Sequence, residues 1–211
     1  MGHRVSGVSR APARLPAILI ASDGHHAIRP PDGIDAGVLI RDSDLNTFVH
    51  RVASDCPPVA VDIDSVAGLG TDEDALRFVT GRLGVGIVLT RRSQVAARVA
   101  ALGHLGLVHV FAYDSTGMAR SLETHPRSVR VGSVLSPAQV IVHLRPEELA
   151  RLPRPVVAYG LIEEVADART CALLADAIVV RPPVAARLAA DAMGGALEEG
   201  VRLRLPVTSA P

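Results

Sequence analysis

Two acidic side chains stand two residues apart in the stretch Val59 to Glu73, VAVDIDSVAGLGTDE. Val59, Val61 and Ile63 alternate there with Ala60, Asp62 and Asp64, the period of a β-strand, so Asp62 and Asp64 are expected on one face. Two carboxylates on an otherwise apolar strand are costly unless paired, hydrated or matched by a cation. Placed in a cleft, either is a candidate general base. The chain then breaks at Gly68-Leu69-Gly70. Thr71-Asp72-Glu73 supplies an N-cap and first-turn acids for a helix from Asp74 to about Arg82. A strand that delivers acids to its C-terminal end, then a loop and a helix, is the arrangement on which parallel α/β proteins build sites.

The remaining elements repeat that unit. Apolar runs of strand length occur at Leu15 to Ala21, Gly37 to Arg41, Val85 to Thr90, Leu107 to Ala112, Gln139 to Leu144, Pro155 to Tyr159 and Ala177 to Val180. Most are followed by helical patterns, among them Leu45 to Ala53, Gln94 to Leu102, a segment capped by Asp114 to Thr116, and Val184 to Met193. The run from His125 to Ala138 is less regular, and its Val129, Val131 and Val134 suit a short extra strand or an ordered loop. Eight strands alternating with helices predict a compact α/β fold, a TIM-barrel-like (β/α)8 parallel barrel over residues 15–193. Its first unit is degenerate, because Ser22 to Gly33 carries His25-His26 and Pro30-Pro31 in place of a helix. A doubly wound open sheet is the alternative. Residues 1–14 read as a disordered lead-in and 194–211 as a tail or edge element.

Composition narrows the chemistry. The 211 residues are 48% apolar but only 2% aromatic, so the core must be aliphatic, as buried parallel strands are. All 22 basic residues are Arg, which removes Schiff-base chemistry, and they balance 22 acids, so net charge gives no reason to expect a polyanion partner. Cys56 and Cys171 lack metal-ligand spacing and read as reduced thiols. No run reaches the roughly 18 apolar residues of a membrane span, and a cytoplasmic protein without membrane contact is expected. No metal-binding, phosphate-loop, dinucleotide or nucleophile-elbow motif occurs, and neither a metal nor a cofactor is expected.

In a barrel the strand ends meet at one mouth. They would bring together Asp62 and Asp64, Thr90 and Arg91, Asp114 and Ser115, His143, Tyr159 and Gly160, and Arg181. Acids, arginines and hydroxyls there suit a small polar or phosphorylated ligand. Simpler roles exist for several: Asp114, Ser115 and Thr116 suit helix capping, and Thr90 and Arg91 suit an exposed strand end. His109 lies within an apolar strand and reads as a satisfied core histidine.

Several of these stretches together resemble one family, the glycerol-3-phosphate-responsive antiterminators. Asp64 to Glu73 (DSVAGLGTDE) is similar to that family's Asp-x-x-x-Gly-Leu-x-x-Asp-Glu stretch. Gly86 to Arg91 (GIVLTR), Phe111 to Ser115 (FAYDS), Pro155 to Ile162 (PVVAYGLI) and Leu15 to Ile18 (LPAI) resemble further family segments in the same order. The resemblance implies a TIM-barrel-like fold and a regulator that senses glycerol 3-phosphate and acts on leader mRNA to prevent transcription termination. It makes Asp64, Thr90, Arg91, Asp114, Ser115 and Gly160 ligand-site candidates, beside Asp62 and Arg181 from the residue reading. A homodimer is an admissible assembly. The chain departs from the family at Tyr159-Gly160, where the family has Gly-Gly, and at Arg181-Pro182-Pro183, where it tends to carry small hydroxyl residues and Asn.

Two other readings stay open. In an enzyme, Asp62 or Asp64 would be the general base and Arg91 or Arg181 would hold an anion. In a metabolite sensor without RNA, the output would be a protein contact. RNA binding needs a positive surface, and arginines 127, 130, 145, 151, 154, 202 and 204 supply one only if the fold gathers them.

Overall fold

The structure, a computed structural model, describes residues 14–54 and 59–194. Cys56, the expected tail beyond 194 and all but residue 14 of the expected lead-in lie outside the described residues. Ten strands follow in chain order: β1 (Ile18–Ser22), β2 (Ala36–Ile40), β3 (Ser43–Asp44), β4 (Ala60–Asp62), β5 (Val66–Ala67), β6 (Ile87–Thr90), β7 (Leu105–Phe111), β8 (Val131–Ser136), β9 (Val156–Ala158) and β10 (Ala177–Val180). Eight of them close a parallel barrel in the order β1-β10-β9-β8-β7-β6-β4-β2, with Ile18 of β1 opposite Ile178 of β10 and Ala36 of β2. The expected eight-stranded barrel is what the chain forms. β3 and β5 pair with each other outside it, Ser43 opposite Val66.

Helices α1 (Leu45–Val52), α2 (Glu73–Arg77), α3 (Ser93–Ala101), α4 (Ser115–Glu123), α5 (Pro146–Leu149), α6 (Val165–Ala172) and α7 (Pro182–Gly194) follow the strands. Asp44, Asp72 and Asp114 cap α1, α2 and α4, each accepting a backbone N–H three residues on. No helix separates β1 from β2, in keeping with a degenerate first unit. Leu19, Leu39, Leu89, Leu107 and Val134 fill the barrel axis, while Val88, Val95 and Val99 seal the layer beneath α3. Strand alternation makes this division, since successive side chains face opposite sides.

Two expectations are corrected. The sixth barrel strand is Val131–Ser136, every residue of it buried, whereas the Gln139–Leu144 run forms a 3₁₀ segment, Ala138–His143, beyond the strand end. Pro137 ends the strand because it has no N–H for the ladder. His143 is therefore exposed on that segment and not at a strand end. The second correction concerns Asp62 and Asp64. β4 stops at Asp62, and Ile63–Ser65 form a 3₁₀ turn held by the Ser65 hydroxyl, which donates to the Asp62 carbonyl at 2.9 Å. The two carboxylates thus do not share a strand face.

Close packing fixes two strand glycines. A Cβ on Gly106 would lie 2.5 Å from the Ala96 carbonyl oxygen of α3, and one on Gly132 would lie 2.3 Å from the Pro155 carbonyl oxygen. Neither neighbour is a flexible side chain. Gly106→Ala is expected to lower stability by about 1–3 kcal/mol, the usual cost of overpacking. Urea unfolding would show this as a lower midpoint at unchanged slope.

Candidate functional site

Above the apolar axis the barrel changes character. Arg41, Asp62, Arg91, Ser136, Tyr159 and Arg181 each stand two residues beyond an inward-facing apolar residue, and His109 stands two beyond Leu107. Alternation turns all of them to the mouth. The result is a layer of polar groups resting on a sealed hydrocarbon floor.

Asp64 organises one side of this layer without lining it. Its carboxylate accepts from the Thr90 hydroxyl at 2.9 Å, the Arg91 backbone N–H at 2.6 Å and the Arg92 Nε at 3.0 Å, and it also pairs with the Arg92 terminal nitrogen. Arg92 in turn donates to the Thr71 hydroxyl at 2.9 Å. Burial opposes ionisation of Asp64, yet the Arg91 N–H, the Arg92 guanidinium and the Thr90 hydroxyl outweigh it and hold the carboxyl below its ordinary range. Thr90 is fully buried in this clamp and accepts the Arg92 N–H as well. Both residues are committed to joining the ends of β4 and β6.

Asp62 is the uncommitted acid. It makes no hydrogen bond to another side chain among the described residues, and its carboxylate lies 3.9 Å from His109 Nε2. Burial and the neighbouring Asp64 charge push it up to about 6, against the pull of Arg41 and Arg91. Burial drives His109 the other way, down to about 4. Between about pH 4 and 6 both groups are therefore mainly neutral, and their contact is not a fixed ion pair. His109 stacks on Phe111 at 5.7 Å and meets Tyr159 edge-on at 5.3 Å. Its Nδ1 and the Ser136 hydroxyl are buried and lack partners among the described residues, which corrects the expectation of a satisfied core histidine. A buried polar group left unpaired costs roughly 1–3 kcal/mol.

Tyr159 separates these groups from a cavity of about 210 Å³ lined by Arg41, Tyr159, Gly160, Glu163 and Arg181 among others. Arg41 lies over the Tyr159 ring at 5.3 Å and pairs with Asp42 at 2.6 Å; Arg181 pairs with Glu163 at 3.2 Å. Gly160 has φ +85° and open space where a side chain would stand. Conformation therefore demands glycine there, and the opening leaves its backbone accessible from the cavity.

Of the sequence candidates, Asp62, Arg91, Gly160 and Arg181 meet at the mouth. Asp64 and Thr90 are its clamp. Asp114 accepts the Gly117 N–H at 2.6 Å as the α4 cap, with Ser115 beside it as the exposed first residue of the helix. Arg41 and Ser136 escaped the sequence reading, and His109 entered it only as a core residue. Inward parity with Leu39 and Leu107 was the available signal for Arg41 and His109, while Ser136 needed the correct sixth strand. No three His, Cys, Asp or Glu side chains converge as a metal set among the described residues.

Asp62 and His109 make opposite contributions to stability. Asp62 holds its proton more tightly folded than at its ordinary 3.8, so stability is lost as pH rises from about 4 to 6. His109 resists protonation relative to its ordinary 6.5, so stability is gained as pH rises from about 4 to 6.5. Each amounts to roughly 3 kcal/mol at 1.36 kcal/mol per pKa unit, and the two nearly cancel. Chemical denaturation across pH 4–7 is expected to show a shallow profile for the wild type, a rising one for Asp62→Asn and a falling one for His109→Gln. Parallel profiles in all three would show that the pair is not titrating as described.

Comparison with known proteins bears on the whole barrel. The model of the glycerol-3-phosphate responsive antiterminator family matches residues 38–181, more than half of the chain. No curated protein sequence matches it. Among solved structures, a glycerol uptake operon antiterminator-related protein of Thermotoga maritima is similar at 22% identity and TM-score 0.65, over 82% of this chain and 99% of its own. The glycerol uptake operon antiterminator regulatory protein of Listeria monocytogenes is similar at 16% identity and TM-score 0.63, over 80% of this chain and 94% of its own. At these identities the structural likeness speaks for the fold, and the family match, which runs from β2 to the end of β10, identifies the chain as a member of the glycerol-3-phosphate responsive antiterminator family.

Proposed function

We propose that this chain is a metabolite-gated regulator. Its barrel mouth takes glycerol 3-phosphate or a similarly small phosphorylated polyol, and it acts on leader mRNA of glycerol-metabolism genes to prevent transcription termination. One observation carries the ligand half: Arg41 and Arg181 bracket a cavity of about 210 Å³ beside an open glycine. Two guanidinium groups about one small cavity suit a phosphate, which takes paired N–H donors. The volume is below the roughly 300–1,000 Å³ of sites for drug-sized ligands, and so favours a small metabolite. Next to the cavity, Asp62, His109 Nδ1 and Ser136 Oγ offer hydrogen-bonding groups for hydroxyls. Tyr159 stands between the two halves, so a ligand that uses both turns that ring aside.

The regulatory half rests on the family match. A second reading, catalysis, keeps one support of its own, the buried Asp62 carboxyl poised at about 6 beside a neutral imidazole. Phosphorus NMR of glycerol 3-phosphate held with the protein separates the two, and the regulator reading expects an unchanged spectrum.

Calorimetric titration tests the site. Glycerol 3-phosphate is expected to bind saturably, with glycerol and inorganic phosphate at least tenfold weaker. Arg181→Ala is expected to weaken binding about 10- to 100-fold, the worth of a charge-assisted hydrogen bond of roughly 1.5–3 kcal/mol. Ser136→Ala is expected to cost less. Absence of saturable binding, or indifference to Arg181→Ala, would contradict the assignment.

A further inference from the structure

A second concavity lies away from the mouth. An open groove of about 500 Å³ lies at the opposite end of the barrel, where β8 and β9 begin. It is lined by Arg127, Ser128 and Val129 from the turn before β8, and by Arg151, Pro153 and Arg154 from the turn before β9. His125 forms part of its wall, with its ring fixed against the Pro126 and Gly132 carbonyls at 3.2 and 3.1 Å. Arg130 follows Val129 and is exposed on the same turn.

The charges here differ from those at the mouth. At the mouth every arginine faces an acid: Arg41 with Asp42, Arg91 and Arg92 with Asp64, Arg181 with Glu163. Around the groove, Arg127, Arg130 and Arg151 have no acidic partner among the described residues. Arg154 alone is paired, to Asp176 at 2.6 Å, and no acidic residue lines the groove. Three arginines that pair with no acid among the described residues thus stand around one groove, whereas others of that kind, among them Arg98 and Arg120, lie on α3 and α4. Arg127, Arg130, Arg151 and Arg154 are also four of the five described members of the set that the sequence singled out as a positive patch.

We infer that this groove grips the phosphodiester backbone of a nucleic acid strand. The guanidinium fork matches phosphate oxygens, and arginines spread along an open trough suit successive phosphates better than one free anion. No Phe, Tyr or Trp lines the trough, and its one ring, His125, is held against the Pro126 and Gly132 carbonyls, so the trough reads backbone charge rather than base sequence. Exposed Val129, at 96% accessibility, stands on its edge and gives the sugar-phosphate chain an apolar shoulder. The assignment rests on the regulator reading for its choice of RNA as the strand, and it adds a second site: metabolite at one end of the barrel, RNA at the other, with β7, β8 and β9 running between.

The test is fluorescence anisotropy of the full chain with a labelled 20-nucleotide oligouridylate at 50 and 200 mM salt. Inorganic phosphate and an oligoglutamate peptide serve as competitors. Arg127→Ala with Arg151→Ala is compared with Arg98→Ala plus Arg120→Ala, an equal loss of charge from the exposed faces of α3 and α4. Loss of at least tenfold in affinity is expected for the groove pair alone. Its salt slope is expected to fall by roughly 1.4, at about 0.7 for each single-strand phosphate contact. Lysine at both positions is expected to restore most of the binding. Equal binding by the two pairs overturns the groove and leaves the RNA reading standing. Failure of the wild type to bind the strand at either salt overturns both. Competition by oligoglutamate at the RNA's own concentration overturns the choice of a nucleic acid.

Discussion

The mouth of this barrel depends on one buried carboxylate. Asp64 takes the Thr90 hydroxyl, the Arg91 N–H and the Arg92 guanidinium onto its two oxygens, and so ties the turn after β4 to the end of β6. A carboxylate so enclosed is affordable only because donors fill it. The clamp has three effects. It fixes where Arg91 leaves the strand end. It consumes Thr90, Arg92 and Asp64, leaving none of them to a ligand. It also places a fixed negative charge beside Asp62, which together with burial keeps that second carboxyl partly protonated near pH 6. Adjacent acids with divergent environments thus acquire different tasks, one architectural and one open to hydrogen bonding.

Much of this was legible in the chain. Aliphatic runs at strand length, alternating with helical patterns, led to the barrel. Asp72 and Asp114 showed where two of the helices begin. The sixth strand was hidden because Gly132 and Ser133 dilute its apolar pattern. Both are small for a reason that only packing reveals: Gly132 admits the Pro155 carbonyl, and the Ser133 hydroxyl donates to the Pro153 carbonyl at 2.8 Å. The neighbouring Gln139–Leu144 run looked more strand-like, yet Pro137 had already ended the ladder. Asp64 was misplaced for a similar reason, since a period of two cannot show where a strand stops. His109 looked like core because its strand is core; its position at the top of that strand is a matter of register. The two arginine pairs of the groove, Arg127 with Arg130 and Arg151 with Arg154, are separated in sequence by more than twenty residues, and only the paired turns before β8 and β9 bring them to one face.

Tyr159 is the feature that most distinguishes this mouth. Its ring is packed edge-on to His109 and covered by Arg41, and burial pushes its hydroxyl up to about 12, so it stays protonated throughout the physiological range. It divides a cationic cavity from a polar layer whose His109 Nδ1 and Ser136 Oγ have no partners among the described residues. Tyr159 directly follows β9, the strand whose approach turn contributes Arg154 to the groove below.

The most direct test of the central claim is a crystal structure with glycerol 3-phosphate bound. The phosphate is expected between Arg41 and Arg181 at Gly160, with the Tyr159 ring displaced from His109 and at least one ligand hydroxyl within about 3.2 Å of Asp62, His109 or Ser136. Phosphate density elsewhere, or a bound ligand with the Tyr159 ring unmoved and the polar floor still unpartnered, would contradict it.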